Sequence, residues 1–288
     1  MRFVTFMYQG RETAGIYTDG CYPFKDVSGK GDMSLLDFIR LCENEPVPGF
    51  DTKNLKPIEP DRLLSPIPIP FRDVICLGKN YADHAKEVVE TKLETQDSDF
   101  IPKAPVYFNK RAYPAKGDMD EISLHSHLTN MVDYEAELAV IIGKTIYNIA
   151  PNQAEEAIFG YSILNDVTAR DIQTKHGQWF FGKSLDGFCP IGPCIVSRDE
   201  IPFPVNLDIC CKVNGEIRQK SNTVNLIFDI PYIISEISKG ITLYPGDIIA
   251  TGTPAGIGHA MKPPKYLAKG DKVECEIEKI GRLTNFFI

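Results

Sequence analysis

Apolar and polar positions along this chain alternate in short bursts far more often than they recur at helical spacing. "RFVTFMYQG" and "TAGIYTDG" open as two strands parted by turn residues. In "SLLDFIRLCE" the period changes: Leu35, Leu36, Ile39 and Leu41 supply the apolar side of a short helix, and Ser34 stands where an N-cap belongs. Between Pro46 and Pro70 seven prolines interrupt the chain, which suits an extended connector. A boundary is placed near residue 66, giving residues 1–66 as a small β-rich domain with its linker and 67–288 as the main domain. Beyond it come β-type segments: "DVICLG", "APVYFNK", "EAELAVIIG", "GYSILND", "CPIGPCIVS", "LDICCKVNG", "DIIATGT" and "DKVECEIEKIG". Three helices are expected among them. They are "NYADHAKEVVE", "PNQAEEAIFG" with Pro151 in its first turn and Gly160 closing it, and "IPYIISEISKG" with Ile230, Ile233, Ile234 and Ile237 at helical spacing. Many strands and few helices predict an α+β, mainly β fold and argue against a doubly wound sheet.

Composition narrows the function. The 288 residues are 43% hydrophobic and 24% charged, ordinary for a globular protein that buries a substantial core. A formal net charge of −8 and the lack of any Lys/Arg-rich block leave no footprint for nucleic acid or an anionic membrane. No stretch has signal-peptide character or the ~20 apolar residues of a membrane span, so a cytoplasmic protein is expected. The eight cysteines, Cys21, Cys42, Cys76, Cys189, Cys194, Cys210, Cys211 and Cys275, show no C-x-x-C pair and are expected to be reduced.

The chemistry gathers around "DYEAELAVIIGK". In a strand Glu135 and Glu137 share a face about 6–7 Å apart, and Asp133 joins them if the strand starts early enough. Taken alone, the alternation is also what a half-exposed strand shows, with the acids in solvent and Ala136, Leu138 and Val140 in the core. Asp166, in "ND" at the end of the apolar run "YSIL", adds a third acid on a second strand. Three carboxylates need a shared proton or a hard cation, and oxygen donors suit Mg2+ or Mn2+. His125 and His127, "HSH", leave zinc as a lesser alternative beside ordinary surface histidines.

A second group lies in "LGKNYADHAKE". His84 and Glu87 fall on one helix face, where a carboxylate can orient an imidazole as a general base. An inconsequential exposed pair has the same spacing. The polar segment "TKLETQDSDFIPK" that follows is a candidate lid. A third cluster, "DVTARDIQTKHGQWFFGKSLDGFCPIGP", crowds Arg170, Asp171, Gln173, Lys175 and Lys183 near Asp166 in sequence, where a lysine can stabilise an enolate or hold a carboxylate.

The segments "GKNYADHAKE", "DYEAELAVIIGK", "NDVTARDIQ", "FFGKSLDGFCPIGP", "VNGEIRQ" and "IPYIISEISKGITLYPGDIIATGTPAGIG" together resemble the fumarylacetoacetate hydrolase family. They run in family order from about residue 74 to 258, roughly two thirds of the chain. The resemblance implies a mixed β-roll following a small N-terminal domain, usually as a homodimer, and a metal-dependent enzyme acting on small 2-oxo acids or 1,3-dicarbonyl acids. Carried over by position, it implies Glu135, Glu137 and Asp166 as ligands of Mg2+ or Mn2+. His84 and Glu87 become a water-activating dyad on a lid helix, and Lys183 the lysine near the metal. Arg170 and Gln173 would line the substrate site, and Thr253 of "TGTP" would hold a substrate carboxylate; Asp133 is not among the implied ligands.

The expected reaction is hydrolysis of a carbon–carbon bond in acylpyruvate-type 2,4-dioxo acids such as fumarylpyruvate, as in the catabolism of aromatic compounds. Oxaloacetate decarboxylation or tautomerisation, and isomerisation of 2-hydroxyhepta-2,4-diene-1,7-dioate, are alternatives at the same metal site. A silent binding protein is the remaining class. It has no physical need for a repulsive set of acids beside an oriented histidine.

Overall fold

The strand Ala136–Ile142 divides its side chains between two apolar cores: Ala136, Leu138, Val140 and Ile142 enter one, Ala139 and Ile141 the other. The computed structural model describes residues 1–29, 31–91 and 101–288. This strand sits inside a ten-stranded sheet, antiparallel to Ile158–Asn165 on one side and to Ile248–Ala250 on the other. Val74–Gly78 joins Ile248–Ala250 in parallel and Val106–Lys110 closes that flank, so the sheet is mixed. On the opposite flank come Ile191–Ser197 and then the first two strands, Arg2–Tyr8 and Arg11–Tyr17.

A five-stranded sheet, from Glu216–Asn222 through Asp208–Val213, Lys272–Ile277 and Gly281–Phe287 to Glu121–Ile122, contributes to the first core. Its Ile209, Cys211, Val273 and Leu283 share a buried cluster with Leu138 and Val140. The architecture is the α+β, mainly β fold expected from the alternation, in the mixed form that the family resemblance implied.

Among the helices, Leu35–Leu41 forms with Ser34 Oγ accepting from the Asp37 amide at 3.1 Å. It is fixed to the sheet by aromatic packing. Phe38 stacks on Phe24 at 4.2 Å between ring centroids and lies near Phe3, which contacts Phe159 of the large sheet at 5.0 Å. Ala82–Glu90 and Ile230–Ser238 also form where expected, the latter capped by Asp229. The helix expected in "PNQAEEAIFG" is shorter. A 3-10 turn at Pro151–Gln153 and one turn at Ala154–Ala157 give way to strand at Ile158, so Gly160 lies inside a strand and closes no helix. It is needed for close strand approach: a Cβ there would stand 2.3 Å from the Val196 carbonyl oxygen.

The aromatic cluster makes one stability prediction. Phe38→Ala should lower unfolding free energy by about 3–5 kcal/mol, read as a lower denaturation midpoint with an unchanged m-value.

Candidate functional site

Because both faces of Ala136–Ile142 are covered, neither Glu137 on this strand nor Glu135 just before it lies in solvent. Glu135 is 3% exposed, Glu137 1% and Asp166 0%, which overturns the solvated-face account of the alternation. Antiparallel pairing brings the two strands' acids together: Glu137 lies opposite Leu164, and the Asp166 amide donates to the Glu135 carbonyl at 2.8 Å. Ligand oxygens of Glu135, Glu137 and Asp166 lie within 4.8 Å of one another. An all-oxygen, buried set of this size fits a hard divalent cation.

Three buried cations surround the acids. Lys183 Nζ donates to Glu135 Oε2 at 2.8 Å and Asp166 Oδ2 at 2.6 Å, and Arg170 Nη1 pairs with Glu135 Oε1 at 2.6 Å. Lys110 Nζ approaches Asp166 Oδ1 at 2.7 Å, an ion pair without hydrogen-bond alignment, and donates to the carbonyls of Val167 and Lys183. Burial pushes the Glu135 pKa up, but Lys183 and Arg170 outweigh it and hold the group at about 2. Burial would likewise strip Lys183 of its proton, yet Asp166 and Glu135 raise its pKa and keep it an ammonium. Glu137 lies nearer to like charge. Burial, then Asp166 and Glu135, push its pKa well above the carboxylate range, with Lys183 and the Gly252 amide at 2.8 Å offsetting only part.

Asp133 is turned away from this centre. Its carboxylate accepts from the amides of Tyr134, Gly258 and His259 and from Arg170 Nε, all at 2.8–3.0 Å. It therefore ties Arg170 to the loop that follows Ile248–Ala250. The same loop reaches the helix Ala82–Glu90. The Gly256 amide donates to Glu87 Oε1 at 2.9 Å, while Glu87 Oε2 faces His84 Nδ1 at 3.1 Å. The helix start is pinned by buried Asn80, whose amide donates to the carbonyls of Phe228 and Thr251 and accepts from the Phe228 amide.

These elements surround a pocket whose cavity volume is about 30 Å3. His84 and Val88 contribute from the helix, Leu77 and Gly78 from the strand Val74–Gly78, and Trp179 from the segment before Lys183. Glu135, Glu137, Arg170, Gln173, Lys183 and Thr253 also line it. Glu87 is not among the lining residues and meets them through its contact with His84. Gln173 Oε1 accepts from Arg170 Nη1 at 3.3 Å. Thr253 Oγ1 donates to the Ala136 carbonyl and accepts from Gln219 Nε2.

Other candidates do not converge. His125 and His127 pack on each other at 6.0 Å, and His125 Nε2 contacts the Asp186 carbonyl, so neither joins the acids. Asp171 accepts from Thr129, and Lys175 is exposed. The candidate lid falls mostly on residues 92–100, outside the described residues. Sequence reasoning missed Lys110, Gln219 and Asn80; the signal for Lys110 is a charged residue ending an otherwise partly apolar strand, which many exposed lysines share.

The profile described as "Fumarylacetoacetate (FAA) hydrolase C-terminal" matches residues 73–288. The oxaloacetate tautomerase YisK of Bacillus subtilis is 46% identical over 224 residues, covering 78% of this chain and 72% of that protein. Fumarylacetoacetate hydrolase from psychrophilic Exiguobacterium antarcticum has the same fold, with a TM-score of 0.87 at 42% identity, covering 100% of this chain and 99% of that one. Fumarylpyruvate hydrolase from Pseudomonas aeruginosa, in complex with Mn2+ and pyruvate, gives a TM-score of 0.66 at 30% identity, covering 79% of this chain and 92% of that one. With its motifs in order, its fold matched along the whole chain and the family profile spanning residues 73–288, this chain belongs to the fumarylacetoacetate hydrolase family.

Proposed function

We propose that this protein is a divalent-metal-dependent enzyme that interconverts the keto and enol forms of oxaloacetate or a closely similar small 2-oxo diacid. The observation that carries the reading is the placement of His84, oriented by Glu87, in the same pocket as the buried carboxylates of Glu135 and Glu137, with Asp166 gathered beside them. Those three would hold Mg2+ or Mn2+, and the cation would supply Lewis-acid stabilisation of the enolate.

The chain's own groups do the rest. With Nδ1 on Glu87, His84 has Nε2 left to take a proton from the carbon beside the 2-oxo group and to return it there in the reverse direction. Glu87 fixes the tautomer and stabilises the imidazolium, and the Gly256 amide holds Glu87 in turn. Arg170 Nη2 is buried and has no hydrogen-bond partner among the described residues, so a substrate carboxylate would satisfy it. Gln173 steadies the guanidinium from Nη1, and Thr253 would add a polar contact at the pocket wall. Lys183 pairs with both Glu135 and Asp166 and so points them at one place. The 46% identical relative that carries the name oxaloacetate tautomerase supports this reaction over others of the family.

A second reading is hydrolysis of an acylpyruvate, favoured by the Mn2+ and pyruvate in the fumarylpyruvate hydrolase of similar fold. His84 would then take a proton from a water attacking the distal carbonyl, and the products would be an acid and the enol of pyruvate. Product analysis separates the two: tautomerisation leaves the carbon skeleton whole, whereas hydrolysis cuts it.

His84→Ala should reduce kcat on enol-oxaloacetate by about 10²–10⁴-fold with Mn2+ affinity retained; unchanged turnover would remove His84 from the chemistry. A cation must also compete with a proton for Glu137, whose pKa is raised, so binding should release protons and tighten with pH across the range where that group titrates. Calorimetry in buffers of different ionisation enthalpy checks this, and binding that releases no protons and does not change with pH would count against it.

A further inference from the structure

The acids, lysine and histidine account for the chemistry of the pocket, and leave unexplained a further set of lining residues, most of them apolar, with Lys79 among them. Trp179 belongs to that set with Leu77, Gly78 and Val88. Its indole meets Phe108 edge-on at 5.1 Å, and the Phe108 ring lies 5.0 Å from Lys183 Nζ, so the indole is no more than about 10 Å from the ammonium beside the acids. The indole also rests directly on the backbone of Gly78. A Cβ on that glycine would stand 2.3 Å and 2.6 Å from two indole carbons, closer than real atoms approach. Glycine at 78 and tryptophan at 179 are thus complementary, and together they fix how far the wall stands from the acids.

We infer that Trp179, seated on Gly78, sets the length of 2-oxo acid that the pocket accepts and restricts it to short diacids of about oxaloacetate's size. The inference rests on the proposed function and names the substrate class of that same site. A ligand anchored by its 2-oxo carboxylate beside the acids meets a rigid indole on extension. Indole cannot shorten by a rotamer change as an aliphatic side chain can, because Gly78 and Phe108 hold two of its sides. Trp179 touches no reacting atom in this account; it acts by excluding the longer chain.

The test is a pair of substitutions that move the wall in opposite directions. Affinities of the Mg2+-loaded protein for oxaloacetate, 2-oxoglutarate and 2-oxoadipate, each one methylene longer than the last, are measured by calorimetry. Trp179 is the single tryptophan of the chain, so its fluorescence gives a second readout of binding in the unsubstituted protein. The unsubstituted protein should lose roughly tenfold or more in affinity at each added methylene. Trp179→Ala should flatten that series to within about threefold overall, and Gly78→Ala, which drives the indole inward, should steepen it. If Trp179→Ala does not fold, Trp179→Phe should flatten the series partly, and Gly78→Ala still tests the opposite direction. Equal weakening of all three ligands by Trp179→Ala, or an unchanged series, would overturn the inference while leaving the proposed function standing. If the unsubstituted protein bound none of the three with Mg2+ present, the proposed function itself would fail and the inference with it.

Discussion

The structure turns on mutual repulsion among buried carboxylates. Glu135, Glu137 and Asp166 present oxygens within 4.8 Å of one another, and at an effective dielectric of ~20 each ionised pair at that separation repels by roughly 3 kcal/mol or more. With Asp133 behind them, four buried acids face three buried cations, Lys110, Arg170 and Lys183, and one negative charge is left over. Burial first, and then the like charge of Asp166 and Glu135, push Glu137 toward its protonated form, while Lys183 and Arg170 hold Glu135 ionised. A divalent cation would reverse the sign of the excess and make the pocket attractive to an anionic diacid. Repulsion among the carboxylates and affinity for a cation would have the same electrostatic origin.

Holding those charges in place occupies much of the surrounding polar structure. Gln219 accepts from the Ala136 amide and donates to Thr253 and to the Pro254 carbonyl, bracing the strand that carries the glutamates against the following loop. Asp133 fastens the far end of that loop and Arg170 at once. The Gly256 amide then links the loop to Glu87, so the histidine's position depends on the loop that also supplies Glu137 with its backbone hydrogen bond. Acid centre and histidine are thereby parts of one hydrogen-bonded frame, set between apolar cores that give it little room to relax.

Much of this was legible in the chain. Period-two alternation located nearly all the main strands, and Ser34 and the isoleucines of "IPYIISEISKG" marked helices that form. Alternation fails where a second layer covers the polar face. "EAELAVII" reads as half-exposed, but Ala139 and Ile141 lie in a core of their own and the glutamates beside them are buried. Gly160 reads locally as a helix stop, because close approach to Val196, a residue distant in sequence, leaves no local mark. Lys110 was invisible for the same reason: its partners, Asp166 and the carbonyl of Val167, are brought to it by the fold alone. His84 and Glu87, three residues apart on one helix, needed only local geometry to be paired.

The central claim is that Glu135, Glu137 and Asp166 together hold a divalent cation. Anomalous diffraction from crystals grown with Mn2+ tests it most directly. The account predicts a single strong peak bounded by oxygens of these three residues at about 2.0–2.6 Å, the range of hard-cation bonds to oxygen. A peak lying instead against His125 and His127, or no peak at Mn2+ concentrations that saturate binding in solution, would contradict it.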